Sequence, residues 1–391
     1  MQSSDVIIVG GAVHGASAAY HLAAHPGFAG RVTVFEQDPG FARAASALSA
    51  ASIRQQFSDP TNIAISLYGI AFLRGIGDTL AVGDERPAIG LVEGGYLFLA
   101  TPAGLPVLAE NHALQASLGA DTVLFSPAEL AERFPYLALD DIAAGSFGAT
   151  GEGWFDGWGL MQAFRAKARA LGVQLQRGRV TAIETAGERA TGVRLEDGSV
   201  HAAGTVIVAA GTGAAALLAP LGVPLPVEAR KRCIFTFSCR EKLPGFPMLI
   251  DPSGTYCRPE GEFFLCGAAP PADRDPPADD FEVDHGLFEE EIWPLLAARV
   301  PAFEAIRPQR AWAGHYDMNL FDHNAIVGRV PPFANLLVAN GFSGHGLQQS
   351  PAVGRGLAEL VVEGRYATLD LAPLGYERII AGRPMIERNI V

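Results

Sequence analysis

The sequence predicts an α/β protein of two domains, one a doubly wound parallel sheet and the other an α+β unit on a mostly antiparallel sheet. Three observations predict it. DVIIV, GGAVHGASAAYHLAAH and RVTVFE give a strand, a glycine turn, a helix and a strand within the first 36 residues. GTVIVAAGTG at mid-chain and NLLVANGFSGHG near the end repeat an apolar strand running into a glycine turn. Between them lie blocks of alternating apolar and polar residues that suit antiparallel strands.

The opening DVIIV is a continuous apolar run, the pattern of a parallel strand buried on both faces. Set on the G-x-G-x-x-G fingerprint, the turn after it supplies Gly10, Ala12 and Gly15, with Glu36 ending the second strand 21 residues beyond the last of these. Gly10 makes the tight turn, position 12 brings backbone to a pyrophosphate, and Gly15 lets helix and strand pack closely. The helix start offers free N–H groups to phosphate, and Glu36 is placed to accept from a ribose. Ala12 departs from the usual glycine, and its methyl weakens the match. Together these features predict a Rossmann-type dinucleotide site.

Next come a strand-like GGYLFLA, a helix-like LPVLAENHALQASLG, and SPAELAERF, whose Ser126 and Glu129 form a capping box. FDGWGLMQAFRAKARALG is an amphipathic helix closed by Gly172. RVTAIETAGERATGVRLEDGSVHAAG reads as an antiparallel meander about an Asp197-Gly198 turn. Gly211, Gly213 and Ala216 could form a second fingerprint, but no acid ends a strand at the right distance and Ala214 to Leu221 is short for a crossover helix, so Ala209 to Gly213 reads as a loop closing on the first dinucleotide. KRCIFTFS and TYCRPEGEFFLCGA are strand-like, and an acidic, proline-rich PPADRDPPADDFE follows them. After GFSGHG, a helix is expected with Ser350 as N-cap and Pro351 in its first position. These readings place the dinucleotide domain at 1–86, 150–225 and 310–391, and the second domain at 87–149 and 226–309.

Composition sets limits. With 49% hydrophobic and 18% charged residues the chain reads as globular. A net charge of −13 argues against a nucleic-acid partner. Cys233, Cys239, Cys257 and Cys266 lack C-x-x-C spacing, so no metal site is expected and four reduced thiols are. MQSSD lacks the basic and apolar parts of a signal peptide, and no run approaches the ~18 apolar residues of a membrane span, so a cytoplasmic protein without an integral membrane segment is expected.

In this order, GGAVHG with Glu36, VIVAAGTG and GFSGHG resemble the D-amino-acid oxidase and sarcosine oxidase superfamily of FAD-dependent amine oxidoreductases. SIRQQFSDPTNIAISL and GFSGHGLQQSP look most like its FAD-dependent oxidoreductase domain-containing protein 1 group. The resemblance implies a glutathione-reductase-like FAD-binding domain joined to a substrate domain. It implies that Gly10, Ala12, Val13, His14, Gly15 and Glu36 hold the ADP part of FAD, that Ser46 and Ser49 approach the pyrophosphate and Val180 the adenine, and that Ala210 and Gly211 meet the ribityl chain. Gly341 would be part of the same cofactor-binding turn, and Gly344 to Gln348, which include His345, Gly346 and Leu347, would meet the isoalloxazine. Relatives with covalent flavin carry a cysteine or a histidine where this chain has Gly314 and the vicinity of Leu48, so non-covalent FAD is implied. Sarcosine oxidases carry lysine where Gln348 stands, which leaves oxygen reactivity open and admits a quinone or an electron-transfer protein as acceptor.

By the same resemblance Arg54 grips a substrate carboxylate, work that suits a planar guanidinium making two parallel hydrogen bonds; an ion pair with Asp59 is the alternative. Tyr256 and Tyr316 match aromatic positions over the flavin, with ordinary core packing equally open. His345 is a base or a flavin-packing residue. The function implied is oxidation of the carbon–nitrogen bond of an amino acid or N-alkyl amino acid. A 2-hydroxy-acid dehydrogenase and a flavin-binding assembly protein without turnover are the alternatives.

Overall fold

The computed structural model describes residues 3–271 and 274–388. One eight-stranded sheet has Ser3–Val9 at its centre, flanked in parallel by Val32–Glu36 and Val200–Val208. Gln174–Arg177 and Phe333–Asn340 extend it in parallel on either side, and Ile326–Val330 closes one edge antiparallel. The meander forms as expected: Val180–Ala186 and Arg189–Leu195 pair antiparallel and join the sheet at Val200–Val208.

The central strand alternates between two cores. Val6 and Ile8 face the helices, whereas Ile7 and Val9 face the meander side, and all four are buried. Burial on both faces is why DVIIV is apolar without a break; cutting Ile8 to Ala would cost about 2–5 kcal/mol.

The second eight-stranded sheet runs Ile306–Asn319, Val227–Cys239, Phe263–Ala268, Thr255–Glu260, Met248–Ile250, Tyr96–Ala100, Ala144–Gly148 and Thr122–Phe125. Every pair is antiparallel except Met248–Ile250 with Tyr96–Ala100. The boundary expected at 310 falls inside one strand, because Ile306–Asn319 pairs with Val227–Cys239 along its whole length. The chain returns to the first sheet only at Ile326.

Helix Val13–Ala24 crosses helix Gly346–Val362 at close quarters. A Cβ on Gly354 would lie 2.1 Å from Ser17 Oγ, and that hydroxyl donates to the Ser350 carbonyl at 2.7 Å. The later helix departs from expectation. It begins at Gly346, with His345 in the N-cap position, and Pro351 lies inside it. Pro351 has no N–H for the Leu347 carbonyl; Ser350 Oγ takes that acceptor at 2.9 Å, so the helix runs through. The capping box at Ser126 and Glu129 forms as predicted. All four cysteines are free thiols. Among the described residues no helix is long and apolar enough to cross a membrane, and no His, Cys, Asp and Glu group could hold a metal ion.

Candidate active site

Both helix starts open onto one cavity of about 650 Å³ at the carboxyl ends of the parallel strands. Gly10 has φ +97, and a Cβ there would meet the Ala209 carbonyl at 2.3 Å. Ala12, the departure from the fingerprint, has an ordinary φ of −72 on the cavity wall, so its methyl imposes no backbone strain. Gly15 is off the wall; a Cβ there would strike the Gly10 carbonyl at 1.9 Å. The Val13 N–H donates to Ser46 Oγ at 3.4 Å. Glu36 also lines the cavity, its carboxylate accepting the N–H groups of Gly11 and Asp38, both at 2.8 Å.

The far wall comes from the other two glycine turns. Val180, Ala210 and Gly211 border the cavity, as do Gly344, Gly346 and Leu347. Gly344, at φ +95, presses against Tyr316, where a Cβ would lie 2.4 Å from the ring. Gly341, at φ +70, packs behind the wall against Asn319 and Val227. His14 stacks on Phe342 with ring centroids 3.6 Å apart; burial lowers its pKa to about 3, which keeps it neutral. Asp317 carries no sequence signal, yet it lines the cavity, accepts the Gly341 N–H at 2.8 Å, and is pushed up to about 6 by burial.

A second cavity of about 50 Å³ adjoins the first, sharing Ser49, Tyr316, Gly344 and Leu347 with it. Arg54, Tyr256, His345 and Gln348 also line it, together with Ser52, Tyr96 and Met248, which sequence reasoning missed. Tyr96 sits in an ordinary strand run, with no motif to mark it.

Arg54 is only 2% exposed. Its guanidinium carbon lies 4.5 Å from the Phe57 ring centre and 5.2 Å from that of Phe98. Its Nη2 donates to His345 Nε2 at 3.0 Å, and its main-chain N–H donates to Gln348 Oε1 at 2.8 Å. A guanidinium is donor-only, so Nε2 is the acceptor and the His345 proton sits on Nδ1. Burial and the Arg54 charge hold His345 well below the usual histidine range, hence neutral. Asp59 instead caps helix Pro60–Arg74 by accepting the Thr61 N–H. Burial pushes the Tyr96, Tyr256 and Tyr316 phenols up, so all three remain hydroxyls.

The sequence profile described as FAD dependent oxidoreductase matches residues 5–360, nearly the whole chain. The chain belongs to the FAD-dependent oxidoreductase family. It is 42% identical to FAD-dependent oxidoreductase domain-containing protein 1 of Xenopus laevis, over all of this chain and 85% of that protein. Among solved structures it is similar to glycine oxidase from Geobacillus kaustophilus, with 26% identity, a TM-score of 0.81, and coverage of 96% of this chain and 98% of that one. L-proline dehydrogenase from P. horikoshii shares the fold, at 24% identity and a TM-score of 0.87, with 98% and 99% covered.

FAD is the cofactor of this FAD-dependent oxidoreductase. The large cavity fits it: two helix N-termini face the space, glycines stand where a Cβ would clash, and Glu36 stands at the strand end. A Cβ on Gly314 would lie 3.0 Å from the Leu48 Cβ, and neither residue has a side chain able to bond to flavin.

Proposed function

We propose that the protein oxidises the carbon–nitrogen bond of an amino acid or N-alkyl amino acid. The observation that carries this is Arg54, a buried guanidinium on the wall of the 50 Å³ cavity that adjoins the FAD cavity. That cavity is continuous with the FAD cavity through Ser49, Tyr316, Gly344 and Leu347, so an acid held by Arg54 would lie beside the flavin seat. Bound FAD supplies the two-electron acceptor for the hydride that leaves the carbon next to nitrogen, and water then hydrolyses the imine.

The chain's own residues bind and orient. Arg54 holds the substrate carboxylate through charge-assisted hydrogen bonds. His345 and Gln348 fix Arg54 by its guanidinium and its main chain, and the His345 Nε2 lone pair is committed to that work rather than to taking a substrate proton. Tyr96, Tyr256 and Tyr316 present aromatic surface and hydroxyls around the carbon skeleton. Gly10 to Gly15, Glu36, Ser46, Ser49, Val180, Ala210, Gly211 and Gly344 to Leu347 hold or shape the seat of FAD.

A 2-hydroxy acid would satisfy Arg54 equally, so the nitrogen is the point to test. Anaerobic mixing with amino acids, N-methyl amino acids and 2-hydroxy acids should bleach the bound FAD with nitrogen substrates. Bleaching by hydroxy acids alone would overturn the amine reading, and no bleaching with any of them would leave a flavin-binding protein without turnover on these acids.

A further inference from the structure

One buried carboxylate near the substrate cavity has no part in the chemistry above. Glu152 is 0% exposed and follows strand Ala144–Gly148 in the chain. Its Oε1 accepts the main-chain N–H groups of Gln55 and Gln56, and its Oε2 accepts Gln56 Nε2 at 2.7 Å. Gln56 Nε2 also donates to the Tyr96 carbonyl at 3.1 Å. Every one of these donors lies in the two residues after Arg54. On its other side, Arg54 is held through its main-chain N–H by Gln348. The segment is therefore pinned from the start of helix Gly346–Val362 at one end and by Glu152 at the other. Room for the carboxylate exists because position 148 is glycine: a Cβ there would lie 2.1 Å from Glu152 Oε2.

We infer that Glu152 is a positioning residue for substrate binding: it fixes the backbone that carries Arg54 and, through its charge, sets how strongly that guanidinium attracts an acid. The inference rests on the reading of Arg54 given above.

Glu152 can change charge in the working range. Burial pushes its pKa up to about 7, against the opposing pull of the Gln55 and Gln56 donors and of Arg54. When ionised it offsets part of the Arg54 charge through space and so disfavours an incoming carboxylate. When protonated it leaves the full positive charge to the ligand. An acid should thus bind together with one proton from solvent, taken up by Glu152, and bind more weakly as pH rises through about 7.

The other groups facing this pair keep their charge there. Burial and Arg54 hold His345 neutral, and burial holds Tyr96 protonated. Glu93 accepts the Gly151 N–H and pairs with Arg74, which holds it ionised and Arg74 charged.

The test uses FAD-loaded protein and acetate, a carboxylate with no amine to titrate, with binding read from the visible spectrum of the flavin between about pH 6 and pH 8.5. Affinity should fall above about pH 7, by at most roughly tenfold per pH unit. Glu152→Gln should bind acetate without this pH step, and its Gln55 and Gln56 amides should exchange hydrogen faster than wild type. With acid substrates the same variant should move KM more than kcat. Gln56→Leu removes one donor to the carboxylate while keeping Glu152, so its pH step should move upward; it also serves where Glu152→Gln fails to fold.

A wild-type affinity that is flat with pH but still lost in Arg54→Ala would overturn the role of Glu152 alone. An unchanged step in Glu152→Gln, or an unmoved step in Gln56→Leu, would do the same. If wild type binds no carboxylate at any pH, the Arg54 reading falls and this inference falls with it.

Discussion

Arg54→Ala removes a guanidinium but not the main-chain N–H that donates to Gln348, so the segment keeps its anchors on both sides. What the site loses is the partner of a desolvated carboxylate, worth about 3–5 kcal/mol. At 1.36 kcal/mol per decade, kcat/KM for an acid substrate should fall by roughly two to four orders of magnitude. The guanidinium also lies over Phe57 and Phe98, and those contacts, about 0.5–2 kcal/mol each, are charged to folding stability rather than to the rate ratio. Arg54→Lys should recover only part of the activity, because an ammonium lacks the planar two-point grip. The assay is kcat/KM for an amino acid and for the matching amine without a carboxylate, each in wild type and variant. The amine should be poor for wild type and nearly insensitive to the substitution, since removing either partner removes the same interaction. Equal losses for both substrates would refute the reasoning and leave Arg54 as a support for the FAD seat.

FAD should be fully released on acid precipitation, given Leu48 and Gly314, and yellow colour retained in the pellet would contradict this. Glu36→Ala should weaken FAD binding to the apoprotein by about 1.5–3 kcal/mol per ribose hydrogen bond lost, measured by fluorescence titration; unchanged affinity would remove that role. Because Gln348 is neutral and already bonded to Arg54, reoxidation in air-saturated buffer should be slower than a typical turnover of about 10 per second and faster with a quinone, and rapid stopped-flow reoxidation by oxygen would refute it. His21, 6% exposed, has its pKa lowered by burial from 6.5 to about 4. Its stabilising contribution is complete above pH 6.5 and is lost as pH falls toward 4, by up to ~1.4 kcal/mol per pH unit. Urea unfolding of His21→Phe should show a shallower loss over that window, and an identical slope would reject the assignment.

The fold was legible because its signals are local. Period-two and continuous apolar runs, glycine turns and one capping box each report on a few neighbouring residues, and the α/β class follows from their order. The boundary at 310 was not legible, since nothing local says that Ile306–Asn319 stays paired with Val227–Cys239 to its end. The helix start at Gly346 was misread because a Ser-Pro pair normally opens a helix, whereas here the serine hydroxyl substitutes for the missing proline N–H. In the site, residues within glycine motifs could be picked out. Tyr96, Asp317 and Glu152 could not: each sits in an unremarkable run and gains its place from strands or loops distant in sequence.

The Ser17–Ser350 hydrogen bond joins residues 333 positions apart, at the crossing of the two helices whose starts face the FAD cavity. On a ribosome adding about 5–20 residues per second, roughly 20–70 s pass between synthesis of the two partners. Through that interval the first glycine turn lacks the part of its far wall that Gly344, Gly346 and Leu347 supply. FAD therefore meets a complete seat only once the helix Gly346–Val362 has been made, and until then the apolar face of Val13–Ala24 lacks the helix it packs against. Supply of FAD during expression should accordingly govern how much finished protein survives, more than how fast it is made.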